Sequence, residues 1–279
     1  MKTPSPFICI LVLLMALVCL NIPAFAFAAP YLSMEPSSSG AGSLVGLSED
    51  GKASADVTTG DLYFHDGYLL FGSETSYQSS FSLTYVGPGR GVVELGEAWR
   101  HTYSMDMAYV PGTSLTLTTA WATTIPFINS AVNTWVSQPS YGVYLTCTVA
   151  PTTLTLTDKY GNYIVFDRTS GLPTTIGDYY SANTVTLAYT NGLLTTVTDA
   201  TNRVFTLAYN GNGLLSSLSD NTLAGPPTWL TLTWTNTDLT AITRGYSTGA
   251  LFATQSFTYT SNVLMSYTDE DSVAISFAY

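Results

Sequence analysis

The chain has 279 residues, a formal net charge of −11 and only 10% charged side chains. So acidic and charge-poor a sequence excludes nucleic acid as a partner, because binding to phosphates needs clustered Lys and Arg. Its wealth of Thr, Ser, Tyr and Leu, punctuated by Gly and Asn, is the composition of an all-β protein.

Lys2, an apolar run from Phe7 to Leu20 and small residues at Ala24, Ala26 and Ala28 read as a secretory signal peptide over 1–28. The run is too short and too near the N-terminus for a membrane anchor. A lipoprotein site at Cys19 is disfavoured by Val18, which stands where a small residue is needed. The chain is therefore expected to be secreted or held at the cell surface, with no transmembrane segment once the signal is removed. Loss of Lys2 takes the charge from −11 to −12, and loss of Cys9 and Cys19 leaves Cys147 as the one cysteine, so no internal disulfide forms. Cys147 lies in an alternating run and is expected to be a small buried residue. About 250 mature residues suffice for a sizeable core in one or two domains.

Residues 29–54 carry Pro, Ser and Gly without periodicity and predict a flexible leader. From 55 to 142 an N-terminal β region is expected, in which "SFSLTYVG" and "HTYSMDMAYV" alternate apolar and polar residues and Gly87, Pro88, Gly89 and Gly91 supply turns. Within it, 111–141 is less regular. "PFINSAVNTW", 126–135, is the best candidate for a short helix in a chain otherwise free of helical stripes.

From 143 to 279 a phrase repeats. Phe166, Tyr189, Tyr209, Trp234, Tyr259 and Tyr279 close successive copies at spacings of 23, 20, 25, 25 and 20 residues. Between them recur a turn, a run around Leu, an Asp or equivalent, and a second run returning to the aromatic. Each copy predicts a β-hairpin, with turns at Gly171, at Asn191 and Gly192, and at Gly211 and Gly213, where positive φ is expected. In "VFTLAY", Phe205, Leu207 and Tyr209 face one way and Val204, Thr206 and Ala208 the other. One hairpin cannot shield such an apolar face. Hairpins added at a regular period make one long curved antiparallel sheet that does.

Candidate reactive groups are few. His65 beside Asp66 is the one local acid–base pair, and His101 next to Trp99 is expected to be structural. No His and Cys spacing suits zinc, and no Gly loop with Lys suits a phosphate. Asp269 to Asp271 in "YTDEDS" could hold a hard cation, but a solvated hairpin turn is the simpler reading. Exposed Tyr and Trp could stack on sugars, although aromatics at the repeat period are expected to be core. A β-rich hydrolase would need two carboxylates facing one cleft, and no spacing suggests them. No enzyme activity and no cofactor are expected.

These residues resemble the Rhs or YD-repeat family, which includes teneurin-like shells. The resemblance covers Val57–Tyr109 and Tyr144–Tyr279: "VTTGDLYF", "PGRG" and "LGEAWRHTYSMDMAY" upstream, and "LTLTDKYGNYIVFDRTSGLPTTI" at the entry into the repeats. The chain departs from the family pattern in keeping the Tyr-Asp dipeptide only as Phe166-Asp167 and in having Leu after the turn Gly in "GLLTTV" and "GLLSSL". The resemblance implies an antiparallel sheet wound into a shell that often encloses a C-terminal toxin. No toxin domain or Asp-Pro-type cleavage motif is seen here. The expectation is a structural scaffold, part of a toxin-delivery or cell-contact system, whose C-terminal sheet edge pairs with a further repeat-bearing chain or a second copy; the alternative is a glycan-binding adhesion module.

Overall fold

A computed structural model describes residues 44–46, 53–56, 62–71, 79–139, 144–179, 184–221, 228–245 and 251–277. Residues 1–28, where a signal peptide is expected, lie outside the described residues, as does Tyr279. The fold is all-β, with one 3-10 turn, Val93–Leu95, among the described residues.

Two antiparallel sheets account for every strand among the described residues. The smaller runs in chain order through β1 (Leu44–Gly46), β2 (Ala53–Asp56), β3 (Leu62–Phe71), β4 (Ser79–Tyr85) and β5 (Trp99–His101). The stretch expected to be a flexible leader is therefore not wholly irregular. Its Leu44–Gly46 pairs with β2, and β2 pairs with β3, because the edge of β3 offers a ladder that local composition does not reveal.

The larger sheet has seventeen strands: β6 (Asp106–Val110), β7 (Ser114–Thr118), β8 (Thr124–Ala131), β9 (Thr134–Ser137), β10 (Leu145–Val149), β11 (Thr153–Asp158), β12 (Tyr163–Asp167), β13 (Pro173–Gly177), β14 (Thr184–Thr190), β15 (Leu193–Thr198), β16 (Val204–Tyr209), β17 (Leu215–Asp220), β18 (Thr228–Thr235), β19 (Asp238–Gly245), β20 (Leu251–Thr260), β21 (Val263–Thr268) and β22 (Ala274–Ser276). Each pairs with the next in sequence. Among the described residues no ladder joins β22 to β6, so the sheet is curved without closing into a barrel.

The segment 126–135 is a hairpin and not a helix. Ile125, Phe127 and Trp135 are buried on one face of β8 and β9, and Asn133, with φ 57°, makes the turn between them. β-branched Ile and Thr combined with a left-handed Asn favour that pairing over a helical turn.

Period-two alternation sets the two faces of the large sheet. Leu154, Leu156, Ile164, Phe166, Val185, Phe205, Leu230, Ile242 and Phe257 are buried on the inner face. The outer face is hydroxylated, with Ser217, Thr231, Thr243 and Thr254 opposite one another across β17–β20. Such cross-strand Thr pairs add to ladder stability without charge.

The inner face of β18–β21 is covered by the smaller sheet. Phe64 packs edge-on against Phe257 and Tyr267, at 4.7 Å between the ring centroids of Phe64 and Tyr267, and Trp99 packs edge-on against Phe257, backed by Tyr85. Two hydrogen bonds lock this packing: Trp99 Nε1 donates to Tyr259 Oη at 3.0 Å, and the Leu264 amide donates to Tyr85 Oη at 3.1 Å. Gly171, at φ 74°, is required where β6 returns to the β12–β13 turn. Met107 N–H donates to its carbonyl at 2.9 Å, and a Cβ there would lie 2.6 Å from Met107 O.

Candidate interaction surface

The five repeat hairpins share a device that their sequence pattern does not announce. The register slips just before each closing aromatic: between Val165 and Phe166, Ala188 and Tyr189, Ala208 and Tyr209, Thr233 and Trp234, and Thr258 and Tyr259. The extra residue stands on the opposite strand; Ala188 faces Thr196 and Tyr189 faces Leu194, leaving Thr195 outside the ladder. In four hairpins this residue is Thr174, Thr195, Ser216 or Thr240, and its hydroxyl donates to the carbonyl that precedes the aromatic, at 3.0–3.1 Å. In the fifth it is Met265. A bulge bends and twists its strand, so one bulge per hairpin at one place curves the array in a consistent direction. Replacing Thr195 with Val deletes one hydroxyl at near-constant volume and is expected to cost about 1 kcal/mol, read as a lower urea midpoint at unchanged slope. An unchanged midpoint would mean that the hydroxyl does not hold the bulge.

The aromatics form a second ladder. Tyr209 Oη donates to Leu194 O at 2.7 Å, Trp234 Nε1 to Leu215 O at 2.7 Å, and Tyr259 Oη to Leu239 O at 2.9 Å. Each acceptor is the residue facing the preceding copy's aromatic. Phe166 is fully buried, while Tyr189, Tyr209, Trp234 and Tyr259 are half-buried against the core. These rings are inward structural groups, and burial pushes the Tyr209 and Tyr259 hydroxyls up from their ordinary range.

The recurring acidic position caps a turn. Asp158, Asp199, Asn210 and Asp269 each accept, on one side-chain oxygen, the amides two and four residues on, and the Thr119 hydroxyl does the same. The residue three on is left-handed in every case: Ala122, Gly161, Asn202, Gly213 and Ser272. Asn191 and Gly192 both have positive φ, as the two-residue turn demands, and so does Gly171. Gly211 does not. The five-residue Asn210 turn needs its left-handed residue at Gly213 alone.

Asp269 thus spends one oxygen on the Asp271 and Val273 amides, at 2.9 and 2.7 Å. Among the described residues no three His, Cys, Asp or Glu side chains converge as metal ligands. His65 Nδ1 lies 2.8 Å from Thr84 Oγ1, and its ring lies against Trp121. His101 packs on Phe81 and Tyr103. Cys147 is wholly buried, which pushes its thiol up to about 12 and leaves it unreactive.

Among the described residues no strand pairs with the outer side of β22. Phe277 N–H donates to Met265 O at 2.7 Å, and Asp269 N–H to Val273 O at 2.9 Å, so residues 273, 275 and 277 turn their backbone groups toward β21. Ala274 and Ser276, between them, turn theirs outward. Behind this edge Ile275 and Phe277 are half-buried, Phe277 stacked on Tyr267. No known family model matches the chain, and no curated protein matches it in sequence.

Proposed function

We propose that this is an exported, non-enzymatic β-repeat protein of the Rhs/YD-repeat kind, a scaffold whose open edge at β22 receives a strand from a further repeat-bearing chain or a second copy. The observation that carries the reading is the outward-facing backbone of Ala274 and Ser276 beside a half-buried apolar strip. The chain's own smaller sheet covers the concave side of β18–β21, which leaves the outer face and the edges as contact surfaces. In the toxin-delivery or cell-contact setting that the resemblance implies, the array supplies shape and attachment instead of chemistry.

Ser276→Pro tests this. It removes an outward amide while sparing the ladder to β21, so stability should change by less than about 1 kcal/mol. Sedimentation of the purified mature chain, alone and mixed with the product of the neighbouring reading frame, should show a complex for the native chain that the variant fails to form. A native chain that remains a monomer under both conditions contradicts the proposal.

One observation favours a second reading, glycan contact. Tyr144, Tyr160 and Tyr179, none of them a repeat aromatic, are 74%, 68% and 68% exposed, at one end of β10–β14. Retardation in gels containing a neutral galactomannan, lost in Tyr160→Ala, would support it; equal mobility with and without the polysaccharide would end it.

A further inference from the structure

The junction between the smaller sheet and β13–β15 holds an unusual concentration of donors. A recess of about 70 Å³ is lined there by Glu94, Arg100, His101, Asp106 and Tyr189, with Tyr103 beside them. Arg100 is 5% exposed. Its guanidinium donates to the carbonyls of Ser104 and Arg90, and among the described residues no carboxylate oxygen lies within ion-pair distance of it. Buried charges are ordinarily paired, because removing a guanidinium from water costs several kcal/mol that only a close counter-charge offsets.

His101, 3% exposed, sits in the same wall. Its Nδ1 accepts the Tyr103 amide at 3.0 Å, which places the proton of the neutral ring on Nε2. Burial first, and the Arg100 charge second, hold the ring neutral by lowering its pKa to about 3. Nε2 is therefore a donor, which rules it out as a metal ligand. Among the described residues it has no hydrogen-bond partner, and neither has the buried hydroxyl of Tyr189. Tyr189 is the first copy of the aromatic ladder whose ring carries a hydroxyl, since Phe166 precedes it, and it breaks the pattern of Tyr209 and Tyr259, whose hydroxyls reach a carbonyl.

We propose that this recess binds a small carboxylate, such as formate or acetate, as counter-ion to Arg100, with His101 Nε2–H and the Tyr189 hydroxyl donating to its oxygens. The Arg100 N–H groups not spent on the Ser104 and Arg90 carbonyls, with two further N–H and O–H donors, suit two carboxylate oxygens better than a single spherical ion. The space suits a ligand of a few heavy atoms and excludes a larger acid. Glu94 and Asp106 are the negative groups nearby. Glu94 is half-buried, with its carboxyl raised above the ordinary range chiefly by burial. It is the competing anion and must yield room for the ligand.

The test is thermal unfolding of the mature full-length chain at constant ionic strength, with acetate or formate replacing chloride stepwise. Tyr189→Phe, which keeps the ring and so the fold, serves as the control for general salt effects. Binding predicts a saturating rise in Tm for the native chain, a midpoint shifted several-fold higher in Tyr189→Phe, and one shifted lower in Glu94→Gln. Line broadening of ¹³C-acetate by the native chain should follow the same order without reference to stability. Acetate effects that are equal in the native and Tyr189→Phe chains would overturn the proposal. So would a response confined to Glu94→Gln, because the counter-ion would then be Glu94 itself.

Discussion

Trp99→Ala is expected to cost about 3–5 kcal/mol, the range for deleting a large buried aromatic. Trp99 is 1% exposed and lies 5.1–5.9 Å, centroid to centroid, from Phe64, Tyr85 and Phe257. Its indole N–H reaches across to Tyr259, 160 positions along the chain. Removing it opens a cavity between the two sheets and takes a donor from the aromatic ladder. Trp99→Phe should cost far less, since most of the contact area survives and Tyr259 keeps its bond to Leu239. Urea unfolding of the three proteins checks this. A loss below about 1 kcal/mol for Ala would mean that the smaller sheet does not rest on β20 and β21 through this residue.

A comparable loss is expected at Arg203, on the strand that opens after the Asp199 turn. Arg203 Nη2 lies 2.7 Å from Asp220 Oδ2; the Asp220 side chain is 0% exposed and that of Arg203 31%. Arg203→Met strips the guanidinium from a carboxylate with no access to water, a change that typically costs about 3–5 kcal/mol. Arg203→Met combined with Asp220→Leu should recover most of it, because the buried charge leaves with its partner. A double variant no more stable than the single one would assign the cost to the lost stacking of Arg203 on Phe205 instead.

Much of the fold is legible in the sequence because its signals are local. Alternation in "TLTLT" or "VFTLAY" gives the strand and its buried face, and the aromatic spacing gives the hairpin period. Asn191-Gly192 gives the turn. The bulge is less legible: its mark is the Ser or Thr three residues after the turn Gly in "GLPTT", "GLLTT" and "GLLSS", which looks like ordinary strand composition until the register is known. Pairings between distant residues leave no local trace. Nothing near "LVG" reveals the ladder that β1 finds, and "PFINSAVNTW" reads as a possible helix until its partner across Asn133 is seen. The recess is illegible for the same reason. Arg100 and His101 stand beside each other in "WRHTY", but Tyr189 and Glu94 reach them only when the smaller sheet docks. The aromatics were readable as core, whereas the hydrogen bonds that link each to the copy before it follow from the bulge.

Amide hydrogen exchange along β22 tests the open edge most directly. The account predicts alternation, with fast exchange at Ala274 and Ser276 and protection at Ile275 and Phe277, and with the fast pair becoming protected when the partner chain is added. Uniform protection of all four amides in the isolated chain would mean that the edge is already paired, and would contradict both the unclosed sheet and the function proposed for it.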